Sequence, residues 1–224
     1  MRHPCQRGTS PAFGLRCVFL MAAMLAVSAT CREQTPRVRP TEWAQPVVNS
    51  TLGNCFRVSA DLFRSDQPQA DDLPALQVLG IKSLLSLRRY HVDDKRFERG
   101  GLVLLVEGMS AGDVSIEELV SALRRFRAAP KPVLVHCWHG SDRTGFFVAG
   151  YRIICQGWSR EAALEELQRG GFGFHAFWYP NIVRCLAGLD VEEVRRQVLA
   201  PENGAVTNPA ARQSGPDGAG PSRP

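Results

Sequence analysis

The sequence predicts an α/β fold, a central and mostly parallel sheet flanked by helices. Two observations carry this. Short, almost continuously apolar runs of the kind found in strands covered on both faces recur along the chain. Between them lie longer stretches whose apolar residues return every three or four positions, the spacing of one helix face. Strand and helix in alternation favour parallel pairing, because a parallel neighbour needs a crossover long enough to hold a helix.

Taken in order, residues 55–58 and 62–64 read as short strands around a turn, and residues 71–79 as a helix ended by Gly80, where glycine suits a left-handed cap. Residues 81–87, 102–106 and 132–136 are apolar runs of strand length. Ser115 and Glu118 form a capping box that opens a helix with Ile116, Leu119, Val120 and Leu123 on one face. Residues 143–156 are apolar almost all round, so this helix belongs inside the core, with Gly157 as its stop. Three helices follow: residues 160–168 after the cap Ser159, a short one from Pro180, and residues 191–199 after Asp190 with Glu193 as its box partner. The acidic Glu161, Glu165 and Glu166 read as a solvated helix face.

The chain has 224 residues, 44% of them hydrophobic and 22% charged. That leaves room for one domain with extensions and excludes a largely disordered, collagenous or multi-span membrane protein. The formal net charge is +5, of which Arg2, Arg7 and Arg16 supply +3 before residue 30. The basic balance thus comes largely from a leader, and no Lys/Arg block interleaved with aromatics offers a nucleic-acid surface. Residues 1–30 have a basic start and an apolar run from Cys17 to Ala29, the build of a secretory signal and short of the ~20 apolar residues a bilayer span needs. Cys31 follows directly, so a lipid tether at that thiol is one form the exported protein can take. Residues 31–50 read as a proline-containing linker, residues 51–199 as the folded domain, and residues 200–224 as a disordered tail. No CxxC or His/Cys metal spacing occurs. Cys155 and Cys185 lie in apolar helical patterns that suit buried free thiols.

The chemistry concentrates in Val133-Leu-Val-His-Cys-Trp-His-Gly-Ser-Asp-Arg-Thr-Gly145, a buried strand, a loop and a buried helix. Such a loop leaves the carboxyl end of a strand and enters a helix N-terminus, where free N–H groups and the helix dipole favour an anion. Cys137 opens it. A thiol facing those N–H groups and Arg143 is favoured as the nucleophilic thiolate. Gly140 permits the tight turn, the planar guanidinium of Arg143 grips two phosphate oxygens, and the Thr144 hydroxyl can steady the sulfur. Residues Trp138, His139, Gly140, Ser141, Asp142, Arg143 and Thr144 are the expected phosphate-binding set, with Trp138 and His139 at the rim.

With these residues in view, the motif His136-Cys137-x5-Arg143-Thr144-Gly145 resembles the signature of cysteine-dependent phosphatases, in particular the bacterial dual-specificity and tyrosine phosphatase-like family. Phe63-Arg-Ser-Asp-Gln-Pro68, Leu79-Gly-Ile-Lys82 with Ser86-Leu-Arg88, and Tyr151 to Trp158 support the likeness over about residues 55–190. The resemblance implies the cysteine-phosphatase fold. It also implies hydrolysis of a phosphomonoester in two steps through a phosphocysteine, with no metal and no cofactor. The family's general acid lies on an upstream loop in a Trp-Pro-Asp type segment, which this chain lacks. Asp113 stands in for it as the leading candidate, with Glu107 and the loop residue Asp142 as alternatives. His136 supports the loop. His175 reads as structural, and Arg88 and Arg89 either extend the positive field or are solvated. The expected substrate is a phosphorylated protein bearing phosphotyrosine, phosphoserine or phosphothreonine, or a small phosphomonoester. An inositol phosphate or phosphoinositide is the alternative, and a non-catalytic phosphate-binding module is the third reading.

Overall fold

In the computed structural model, residues 38–200 are described. The proposed leader, Cys31 and the tail from residue 201 lie outside them. The described chain from Pro40 onward forms one compact unit, built in the order β1 (Gln45–Pro46), β2 (Phe56–Arg57), β3 (Leu62–Ser65), α1 (Leu73–Val78), β4 (Ser83–Arg88), α2 (Arg96–Arg99), β5 (Val103–Met109), α3 (Ile116–Ala128), β6 (Val133–His136), α4 (Asp142–Cys155), α5 (Arg160–Arg169), α6 (Pro180–Ala187) and α7 (Val191–Leu199). The six strands form a single sheet in the order β1-β2-β3-β6-β4-β5. The pairs β3·β6, β6·β4 and β4·β5 are parallel, whereas β1 and β2 add an antiparallel edge. The α/β class with a mostly parallel sheet is what the alternating pattern predicts.

The pleat sorts side chains onto two faces. Leu62, Leu85, Leu87, Val133 and Val135 join Leu123, Phe146, Phe147 and Ile182 in the larger cluster, under α3 to α7. Phe63, Leu84 and Leu134, from alternate positions on the same strands, pack with Leu76 of α1 and Phe97 of α2 on the other face. Helix α4 is buried along nearly its whole length, as its all-round apolar sequence requires. The Ser115 hydroxyl accepts from the Glu118 N–H while the Glu118 carboxylate accepts from the Ser115 N–H, so the capping box is complete. Ser159 and Asp190 also cap the helices they precede, and Gly80 and Gly157 take positive φ at helix ends.

Three expectations need correction. The stretch read as a linker over 31–50 contributes β1 and the fully buried Ala44, whose N–H donates to Glu166 Oε1 at 2.6 Å. Glu166 is therefore not on a solvated face. It is 1% exposed and bonds Arg152 Nε and Nη2, each at 2.8 Å, because a buried guanidinium demands a carboxylate partner that periodicity alone cannot reveal. Cys155, expected to be buried, is exposed where α4 runs out of the core, and Cys185 is half-buried; both are free thiols.

Candidate active site

Strand β6 ends at His136 and α4 begins at Asp142, so residues 137–141 turn through the carboxyl edge of the parallel sheet. Three contacts from sequence-distant segments shape that turn. Gln67 N–H donates to the Trp138 carbonyl at 3.1 Å, Asn54 Nδ2 donates to the His139 carbonyl at 2.8 Å, and Arg64 Nη2 donates to the Gly140 carbonyl at 2.6 Å. Arg64 is 1% exposed and stacks 3.8 Å from the centroid of Phe172. These donors hold the carbonyls of three consecutive residues, 138, 139 and 140. No acceptor among the described residues takes the backbone N–H of residues 138–144, whereas Gly145 N–H closes the first helical bond on Ser141. Gly140 sits at φ +69°, and a Cβ there would lie 2.4 Å from the Ser65 carbonyl oxygen. Only glycine fits.

The structure gathers the expected residues around this nest. Cys137 is 2% exposed at the start of the turn. Arg143 Nε and Thr144 Oγ1, both buried atoms, have no hydrogen-bond partner among the described residues. Two unpartnered buried donors beside a ring of unpaired N–H groups form a cradle for a tetrahedral oxyanion. A cleft of about 490 Å³ opens beside it, lined by Arg143, Arg88, Arg89, Trp138, Tyr90, Tyr179 and the segment from Met109 to Gly112. Arg88 is not a solvated arginine. It stacks 4.2 Å from the Trp138 ring centroid and donates to Gln67 Oε1 at 3.1 Å. Burial and the neighbouring Arg143 guanidinium hold it below the usual arginine range.

The candidate acids separate clearly. Glu107 accepts from Ser121 Oγ at 2.6 Å and Arg125 Nε at 2.7 Å, so its carboxylate is committed to α3. Asp142 accepts from the His175 N–H at 2.9 Å and from its Nδ1 at 3.0 Å, which ties the segment before α6 onto the loop and gives His175 a structural partner. Asp113 closes a tight turn through its N–H to the Ser110 carbonyl, and Asn181 on α6 pins the Ala111 carbonyl at 2.9 Å. Its exposed carboxylate meets no partner among the described residues and stands one residue beyond the cleft-lining Gly112.

Sequence reasoning missed Arg64 and Asn54 as supports of the turn. Arg64 carried a signal, a cation inside a strand run; Asn54 carried none, since it stands in an irregular segment. Among the described residues, no group of three or more His, Cys, Asp or Glu could hold a metal ion, and no helix is long and apolar enough to cross a membrane.

Residues 102–156 match the model of the tyrosine phosphatase family. The chain is 41% identical over 159 residues to the dual specificity protein phosphatase TpbA of Pseudomonas aeruginosa, covering 69% of this chain and 68% of that one. A crystal structure of P. aeruginosa TpbA in complex with pTyr aligns with a TM-score of 0.64 at 37% identity, over 72% of this chain and 98% of its own. The catalytic domain of the Saccharomyces cerevisiae PP-IP phosphatase Siw14 aligns with a TM-score of 0.57 at 25% identity, over 65% and 90%. With its Cys-x5-Arg nest at the mouth of a mostly parallel sheet and this degree of likeness to TpbA, the chain belongs to the dual-specificity and tyrosine protein phosphatase family.

Proposed function

We propose that this protein hydrolyses phosphomonoesters of tyrosine, and of serine and threonine, on protein substrates through a phosphocysteine. The observation that carries the reading is the pairing of the buried Cys137 with unpartnered donors, Arg143 Nε, Thr144 Oγ1 and the N–H groups of residues 138–144, on one turn. The Cys137 thiolate attacks phosphorus in line with the leaving oxygen, while Arg143 and the N–H groups take the charge on the equatorial oxygens. Asp113 protonates the leaving oxygen and then takes a proton from the water that cleaves the S–P bond, returning the thiolate. The aromatic walls Trp138, Tyr90 and Tyr179 suit a phenyl ring seated above the nest. The likeness to TpbA, whose structure holds pTyr, supports the same substrate class.

A second reading, an inositol phosphate substrate, draws on Arg88 and Arg89 at the cleft and on the likeness to Siw14. The turn itself holds no Lys or further Arg between Cys137 and Arg143. Assay of the purified chain against phosphopeptides and inositol phosphates separates the two. Cys137→Ser abolishes turnover of p-nitrophenyl phosphate yet keeps vanadate binding, and Arg143→Lys loses most activity because a point charge cannot replace the guanidinium fork. Turnover by folded Cys137→Ser protein refutes the mechanism. Export is part of the proposal, resting on the basic start and the apolar run from Cys17 to Ala29. The intact mass of the native protein tests it: a start near Thr30 or an acylated Cys31 supports export, and a retained Met1 in the cytosolic fraction refutes it.

A further inference from the structure

Behind Cys137 lies a buried polar chain that the chemistry above leaves unused. Asp93, in the irregular segment after β4, is 3% exposed, and its Oδ2 lies 3.0 Å from Nε2 of the fully buried His136. Its Oδ1 accepts from Gln67 Nε2 at 2.8 Å, and Gln67 Oε1 in turn accepts from the cleft residue Arg88 at 3.1 Å. The pair therefore runs from the substrate cleft to the residue before the nucleophile.

Ionised groups are costly to bury unless paired and hydrogen-bonded. Burial pushes the Asp93 carboxyl upward, but the bonds and charge from His136 and Gln67 outweigh it and hold the group below the usual carboxylate range. The other ring nitrogen of His136, Nδ1, lies 3.4 Å from the Cys137 carbonyl oxygen. Both ring nitrogens thus face acceptors, and only a ring carrying two protons donates to both. The remaining charged groups around the pair are His91, 3.7 Å from Asp93 Oδ1, together with Arg88, Asp66 and Cys137, with Arg143 beyond Arg88. Burial and the Arg88 charge hold His91 below the usual histidine range.

We propose that Asp93 is a positioning residue for the nucleophile: through its bond to Nε2 it holds His136 as an imidazolium seated on the Cys137 backbone, and that buried cation stabilises the thiolate. Gln67 and Arg88 keep the Asp93 carboxylate aimed at the ring. The inference rests on Cys137 being the nucleophile.

The test uses the full chain carrying Asp93→Asn, which keeps the shape of the side chain and removes its charge. Two pH profiles are read, kcat/KM for p-nitrophenyl phosphate and the rate of iodoacetamide alkylation at Cys137 followed on its own peptide. Both acidic midpoints are expected to move up by about one pH unit or more, the usual effect of losing one close charge. Activity then falls ~10-fold at pH below the midpoint and recovers above it. A merely structural role lowers the melting temperature and leaves both midpoints in place, which overturns the proposal. A downward shift overturns it too, since it means that His136 is neutral and the Asp93 charge opposes the thiolate. His136→Gln is the second variant, for the case in which Asp93→Asn does not fold. It is expected to give the same upward shift, and an unmoved midpoint there is equally fatal. Turnover by Cys137→Ser instead refutes the nucleophile itself, so the two failures are distinguishable.

Discussion

Replacing Gly140 with alanine adds one methyl group at the tightest point of the loop. Its Cβ would stand 2.4 Å from the Ser65 carbonyl oxygen, 2.6 Å from the Ser65 carbonyl carbon and 2.7 Å from the Asp66 nitrogen. These are backbone atoms at the end of β3, which is paired on one side with β2 and on the other with β6, so they cannot swing aside as a side-chain tip would. The turn must instead retreat by about 1 Å to reach ordinary contact. The φ of +69° adds the left-handed penalty of about 1 to 2 kcal/mol, and the overpacking about 1 to 3 kcal/mol. The sum, about 2 to 5 kcal/mol, corresponds to a melting temperature lower by about 4 to 20 °C for a chain of this size. Since a displacement of about 1 Å in a positioned group costs roughly 10²-fold, kcat/KM on p-nitrophenyl phosphate is expected to fall by about that factor in the protein that remains folded. Vanadate binding, read by calorimetry, should weaken in parallel, because the same N–H groups make both contacts. A Gly140→Ala protein with wild-type turnover and an unchanged melting curve refutes the reasoning.

Asp113→Asn is expected to lower turnover ~10² to 10⁴-fold, more for phosphoserine peptides than for aryl phosphates, and to flatten the basic limb of the pH profile, whereas Glu107→Gln leaves the chemistry intact. If Asp142→Asn reproduces that pattern and Asp113→Asn is silent, the acid lies inside the loop. Glu166→Gln should cost about 3 to 5 kcal/mol in denaturant unfolding, since it removes the charge that answers the 2%-exposed Arg152 side chain and leaves that guanidinium only neutral acceptors, while Glu165→Gln, in an exposed pair with Arg169, should cost less than about 1 kcal/mol. Equal effects at the two positions would mean that the buried pair contributes no more than a solvated one.

Much of this fold is legible in the chain alone because the signals are short-range. A capping box reaches three residues, as from Ser115 to Glu118, and the all-round apolar run of α4 or the strand run of β6 is complete within a dozen residues or so. The same locality places the turn from Cys137 to Arg143 between a buried strand and a buried helix, with Gly140 where the backbone must come close. What the tertiary structure decided is which groups meet. Ala44 finds Glu166 across 122 positions, Arg64 finds the Gly140 carbonyl across 76, and Asp93 finds His136 across 43. None of these partners can be chosen from sequence pattern, because the choice is made by the order of strands in the sheet. Insertion of β6 between β3 and β4 brings Arg64 and Asp93 to the back of a turn whose own residues never mention them. Likewise β1 pairs along the edge that β2 offers, and Glu166 meets the Ala44 N–H of the chain that leads into β1. A buried charge or an unpaired backbone edge must be answered by whatever the fold brings near, and that is set by packing rather than by propensity.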